Sequence, residues 1–352
     1  MKNFFGVLLA LVICMFCNGQ PVYKNLVMEG GGVRGLAYAG ALEVLEQRGI
    51  LEEIENVGGS SAGAIAGLLV VLNYSSSEID SILQSLRIQE FNDGKFLFGK
   101  IKRIKKQFGL YKGDKIQLWL SGLIAAKTEQ PDLTFLQLHE LHLKNKNFKD
   151  LYVTGTNITQ QRTEAFSWKT KPGMKLSTAV HISSCIPFYF VPVAIDSAGT
   201  EVDPEKSNKS FNLFVDGGML DNYPISLFDS SEMGTNPLTA EKVFYNPETL
   251  GLKLEREAQV KNFDENNTAI APYRISSMKE YTSAVMNLMM EGLNRKSYHL
   301  KNEMGRTIYI SYGDISGRPR KMSTAEKKIL HDNGVKAAID FFENKKQEVM
   351  SK

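Results

Sequence analysis

Three cysteines in 352 residues are too few to build a disulfide framework. Glycine and proline are neither abundant nor periodic, which excludes collagen-like and low-complexity architectures. Neither sign of charge dominates, with 42 Lys and Arg against 39 Asp and Glu. A formal net charge of +3 gives no reason to expect nucleic acid as a partner. A run long enough to cross a bilayer is also missing: the longest apolar stretch, Phe4–Cys17, falls short of the roughly twenty residues a spanning helix needs. No internal repeat is visible. What remains is an ordinary globular composition, with enough length to bury a sizeable core.

The beginning of the chain has its own texture. Residues 1–19 read MKNFFGVLLALVICMFCNG: one Lys, an apolar run, then small residues before Gln20. That pattern is expected of a secretory signal peptide cleaved after Gly19, which makes the protein exported to periplasm, cell surface or medium. Bulky Ile13 and Phe16 before Cys14 and Cys17 argue against a lipoprotein anchor. Without residues 1–19 the chain keeps a single cysteine, Cys185.

Along the rest, Asn25–Glu29 reads as a short strand stopped by glycines, and Leu36–Arg48 as a helix ending at Gly49. Ile54–Val57 reads as a second strand, followed by a small-residue helix, Ala62–Leu72. This rhythm predicts an α/β fold with a mainly parallel sheet. Further strands are expected at Leu151–Asn157, Glu164–Trp168, Phe211–Val215, Lys242–Tyr245 and Thr307–Tyr312. Helices are expected over 274–303 and 323–350; in the first, Val285, Met286, Leu288, Met289 and Met290 suggest core packing. Residues 95–115 carry eight Lys or Arg interleaved with Phe and Ile. They read as a solvated helix covering the sheet, with peripheral contact to an anionic membrane surface as the alternative.

Three motifs carry the chemistry. Gly30-Gly31-Gly32-Val33-Arg34-Gly35 follows a strand and opens a helix, so its backbone N–H groups form a natural anion site. The same glycines fit a dinucleotide loop, but the second strand ends in glycine and serine, not in the acid that would hold a ribose. Gly59-Ser60-Ser61-Ala62-Gly63 matches G-x-S-x-G, in which a serine sits on a sharp strand-to-helix turn. Phe214-Val215-Asp216-Gly217-Gly218 places an acid at a strand end before two glycines. A nucleophilic serine needs a base, and none of the five histidines (His139, His142, His181, His299, His331) lies in a glycine-flanked, strand-end loop. Asp216 is therefore the expected base for Ser61.

Together these motifs resemble the patatin-like phospholipase family: an oxyanion loop at Gly30–Gly35, an elbow at Gly59–Gly63 and an acid motif at Asp216–Gly218, in that order. Ser183–Pro192, Asn222-Tyr223-Pro224 and Thr249-Leu250-Gly251 are similar to supporting segments of the family. The resemblance implies a three-layer α/β/α fold and a Ser61–Asp216 dyad hydrolysing acyl esters of phospholipids or related lipids through an acyl-enzyme. It further implies an oxyanion hole built from Gly30, Gly31, Gly32, Arg34 and Gly35, with the N–H groups of Gly31 and Gly32 as its donors and Arg34 stabilising the loop or the developing charge. No cofactor or metal is expected. The alternative is a catalytically weak lipid-binding or scaffold protein on the same fold. The expected organisation is a signal peptide (1–19), an acyl hydrolase domain (20–255) and a mostly helical extension (256–352) packing on that domain. Oligomeric state is left open.

Overall fold

The computed structural model describes residues 22–94, 97–232, 242–265, 269–273, 275–278, 280–282, 284–285, 288 and 303–350. The leader at 1–19 lies outside them, as do Met286, Met289 and Met290. Val285 and Leu288, expected in the core, are exposed instead.

Twelve strands are described: β1 (Asn25–Met28), β2 (Asn56–Gly59), β3 (Gly109–Tyr111), β4 (Asp150–Asn157), β5 (Arg162–Phe166), β6 (Phe188–Phe190), β7 (Val193–Ile195), β8 (Asn212–Asp216), β9 (Ser230–Glu232), β10 (Lys242–Phe244), β11 (Thr249–Glu255) and β12 (Thr307–Ser311). Eight form the main sheet in the order β12-β11-β1-β2-β4-β8-β7, with β5 paired to β4. Strands β12, β11, β1, β2 and β4 run parallel. Strand β8 turns back antiparallel to β4, and β7 antiparallel to β8. Helices cover both sides, so the architecture is the expected three-layer α/β/α.

Burial explains the composition of the centre. All four residues of β1 are buried, as a strand covered on both faces requires. The helix that follows β2, Ala62–Val71, is apolar all round and almost wholly buried. Its many small residues let it sit close to the sheet: a Cβ on Gly63 would lie 2.1 Å from the carbonyl oxygen of Met28.

Strand β11 was not expected as a strand. Leu250, Leu252 and Leu254 alternate along it and are all buried, which is the period-2 signal that could have found it. It lies between β1 and β12, so the sheet continues unbroken past residue 255. The helix Thr324–Met350 packs on the helix Ala37–Gln47. Glycines at the crossing allow it: a Cβ on Gly40 would meet His331 O at 2.0 Å, and one on Gly334 would meet Ala37 O at 2.1 Å.

Candidate active site

Parallel strands deliver their C-terminal ends to one edge of the sheet, where ligands of α/β folds gather. Strands β1 and β2 are neighbours in register, Met28 opposite Gly59, so the glycine loop and the serine turn emerge side by side. Asp216 arrives from the antiparallel β8. It pairs with Gly155, two residues past Val153, which is itself level with Gly59. Strand β8 enters from that edge and ends after only three paired residues, so the acid stops level with the serine turn.

At the turn, Ser61 adopts φ 49° and ψ −117°, a region that non-glycine residues rarely occupy. The flanking glycines are sterically required. A Cβ on Gly59 would lie 2.5 Å from the Gly63 carbonyl group, and one on Gly35 would lie 2.7 Å from Ala62 Cβ. Ser61 Oγ donates to Asp216 Oδ2 at 2.8 Å. The other carboxylate oxygen, Oδ1, accepts from Gly218 N at 2.8 Å. Asp216 is buried, and burial pushes its pKa up to about 6, while the Gly218 N–H and the Ser61 hydroxyl pull it down. Ser60 is fully buried and its hydroxyl has no hydrogen-bond partner among the described residues. Of the two serines of the turn, only Ser61 meets the acid.

The glycine loop divides its labour. Gly30 was expected in the oxyanion hole, but its N–H is taken by Asn222 O at 2.9 Å, and a Cβ there would lie 2.3 Å from Asn222 Oδ1. Gly30 is thus a spacing residue, as is Gly35. Among the described residues no acceptor takes the N–H of Gly31 or Gly32. Gly32 has φ 57°, and a Cβ on it would meet Gly317 O at 2.2 Å. Arg34 does not line the cleft beside Ser61. Its Nε donates to Ile315 O at 2.8 Å and its guanidinium lies 3.7 Å from the Tyr312 ring centroid. Loop support, the first of its two expected roles, is the one the geometry favours.

The sequence assigned no individual role to Ser183 or Glu29, yet both hold the site in place. Ser183 Oγ accepts the Ser61 N–H at 2.8 Å, anchoring the strained turn. Glu29, buried at the end of β1, accepts from Leu254 N at 2.8 Å and from Asn222 Nδ2 at 3.2 Å, tying the loop to β11. Ser183→Ala leaves the Ser61 N–H without that acceptor, at a cost of roughly 1–3 kcal/mol. The expected outcome is a kcat about tenfold lower with KM near wild type, read by steady-state kinetics on a soluble ester.

The histidines are elsewhere. His139 pairs with Asp150 at 2.8 Å, His142 with Phe148 O at 2.7 Å, and His331 with Glu43 at 3.3 Å. His181 is buried against Gly113, with no hydrogen-bond partner on either ring nitrogen among the described residues. Burial holds its pKa below the usual value, against the pull of Glu201, Asp114 and Asp93. No described histidine hydrogen-bonds Ser61 or Asp216.

Beside Ser61 opens a cavity of about 230 Å³. Its walls are largely apolar, including Leu36, Ile65, Leu83, Phe91, Ile186 and Phe190. Arg320, Lys321, Met322 and Lys327 from the tail also contribute. Among the described residues no group of three His, Cys, Asp or Glu could hold a metal ion.

A strand-to-helix serine bonded to a buried acid, beside an apolar cavity on an α/β/α sheet, belongs to the class of lipid acyl hydrolases. The particular family follows from comparison. The family model described as patatin-like phospholipase matches residues 26–229, more than half of the chain, and the chain belongs to that family. It is 32% identical to the uncharacterized protein YqhO of Bacillus subtilis, over 59% of this chain and 67% of that one. It is 28% identical to the probable lipid hydrolase 463L of Invertebrate iridescent virus 6, over 58% of this chain and 63% of that one. Among solved structures it is similar in fold to VipD from Legionella pneumophila, with TM-score 0.57 at 19% identity, covering 92% of this chain and 67% of VipD.

Proposed function

We propose that this lipid acyl hydrolase cleaves ester-linked acyl chains of phospholipids or related lipids with a Ser61–Asp216 dyad. The observation that carries the reading is the 2.8 Å hydrogen bond from Ser61 Oγ to Asp216 Oδ2. As Ser61 Oγ attacks the ester carbonyl, Asp216 takes its proton and passes it to the departing alkoxide, so an acyl-enzyme forms with loss of the alcohol and Asp216 returns to its carboxylate form. Water, deprotonated by Asp216 in turn, then attacks the acyl group, and Asp216 returns the proton to Ser61 Oγ as the fatty acid leaves. The N–H groups of Gly31 and Gly32 are suited to receive the oxyanion, and the apolar cavity to receive the acyl chain. The similarity to a probable lipid hydrolase supports the substrate class. Export with removal of residues 1–19 is part of the same proposal and rests on the apolar run Phe4–Cys17.

The experiment is release of fatty acid from mixed phospholipid vesicles, with product analysis identifying the bond cut. The pH profile adds a separate check. Only the carboxylate form of Asp216 can accept a proton, and its pKa lies at about 6. The rate on a soluble ester should therefore fall about tenfold per unit below about pH 6 and level off above it. A profile flat through that range would remove Asp216 as the base.

A further inference from the structure

Two phenylalanines stand out of the surface at backbone angles that bulky residues seldom adopt. Phe108 has φ 65° and is 54% exposed; Phe188 has φ 67° and is 76% exposed. They lie side by side in the fold. Strands β3 and β6 form a two-stranded parallel ribbon in which Phe188 is the register partner of Gly109, the residue after Phe108. In a regular strand residues two apart share a face, yet Phe190 is buried in the cavity wall while Phe188 is exposed. The left-handed φ at Phe188 breaks that alternation. Burial does not explain these rings, because both face solvent.

Their surroundings are cationic. The helix Leu97–Gln107 ends at Phe108. Lys102, Lys105 and Lys106, spaced i, i+3 and i+4, share a face and are exposed. No ion pair engages them among the described residues. Ile104 on the same helix is 44% exposed. The other basic groups nearby are committed: Arg103 binds Gly94 O and Leu110 O, Lys100 binds Tyr111 Oη, and Lys112 pairs with Asp114. The acids nearby are committed too: Asp93 accepts the backbone N–H groups of Lys112 and Gly113, and Glu205 accepts from Gln107. The ribbon is continuous with the cavity, since Tyr111 pairs with Phe190 and Tyr189 Oη bonds Asn92 Oδ1 at 2.7 Å, next to cavity-lining Phe91.

We infer that the β3–β6 ribbon and the helix Leu97–Gln107 form a docking surface for an anionic phospholipid bilayer. Phe108 and Phe188 enter the interface while Lys102, Lys105 and Lys106 meet the headgroups. Aromatic rings favour the headgroup boundary, and lysines within a Debye length of an anionic surface add attraction that salt screens. Docking there sets the cavity wall at Phe190 beside the lipid. The inference deepens the lipid-ester reading and rests on it for purpose, but it is measured without turnover.

The test uses the chain from Gln20 onward, which contains every described element, carrying Ser61→Ala. Sedimentation with vesicles of phosphatidylcholine alone, or containing phosphatidylglycerol, reads binding. The parent should bind the phosphatidylglycerol vesicles about a hundredfold more tightly, at about fivefold per lysine. The triple variant Lys102→Gln, Lys105→Gln, Lys106→Gln should lose that preference. Phe108→Ser with Phe188→Ser should weaken binding to both vesicles about tenfold. With Ser61 restored, both variant sets should hydrolyse a soluble monomeric ester at the wild-type rate, which shows that they fold. Variants that bind like the parent would overturn the inference. So would a dimer in solution that the Phe substitutions dissolve, since the patch would then serve a second copy. A parent that binds no vesicle but cleaves the soluble ester would overturn the docking surface and leave the lipid-ester reading standing.

Discussion

Asp216→Asn should abolish nearly all fatty-acid release and at the same time stabilise the protein. The first half follows from the dyad. An amide cannot take the Ser61 proton, and loss of a positioned base costs roughly 10²–10⁴ in rate. Ser61→Ala removes the attacking oxygen itself and should cost at least as much. The second half follows from burial. The folded carboxyl has its pKa pushed up to about 6 from an ordinary 3.8, so the folded state holds the proton more tightly than the unfolded chain. Its contribution to stability is therefore complete below the unfolded pKa and is lost as pH rises through about 6. Above that, the buried charge costs roughly 3 kcal/mol. Asparagine carries no charge and can still accept from Gly218 N. Thermal unfolding of the variant should exceed wild type at pH 8, and the gap should close toward pH 4. A variant less stable than wild type at pH 8 would assign Asp216 a structural role.

Gly63→Ala should prevent folding. Its added Cβ would lie 2.1 Å from Met28 O and 2.7 Å from Glu29 O. Both oxygens belong to the backbone and are held: Met28 ends β1, which is paired on both edges, and its oxygen accepts from Ser60 N, while Glu29 O accepts from Tyr38 Oη, so neither can swing aside. The helix would have to lift off the strand and carry Ser61 with it. The expected loss is at least about 4 kcal/mol, in the range of severe core disruptions. Soluble yield and circular dichroism would register it. By contrast, Gly49→Ala adds a Cβ that meets nothing within 4 Å and strains only a left-handed φ of 70°. A folded, active Gly63→Ala protein would mean that helix and strand are not packed as described.

The motif residues were legible in the sequence because their backbone geometry admits so few alternatives. Gly59, Gly63, Gly32 and Gly217 each face another backbone at a distance no side chain tolerates, so the glycine pattern is a direct imprint of the close approach. The proposed pairing of Ser61 with Asp216 also followed, by elimination of histidine. What did not follow was everything set by long-range packing. Leu250, Leu252 and Leu254 alternate plainly, yet a seven-residue segment with a glycine in it does not announce that it sits between β1 and β12. The return of the tail to the site was still less visible. Gly317 O meets Gly32, Ile315 O holds Arg34, and Met322 and Lys327 line the cavity. Such contacts are made across some 280 residues of sequence, and local periodicity carries no trace of them. The expected oxyanion role of Gly30 failed for a similar reason: Asn222, nearly two hundred residues on, takes its N–H.

The most direct measurement of the central claim is mass-spectrometric mapping of the chain after reaction with a fluorophosphonate at pH 8. The dyad predicts one adduct, on Ser61, formed at a rate that Asp216→Asn reduces in step with its loss of fatty-acid release. Hydrolysis of lipid esters by a chain that stays unlabelled at Ser61, or labels at another residue, would contradict it.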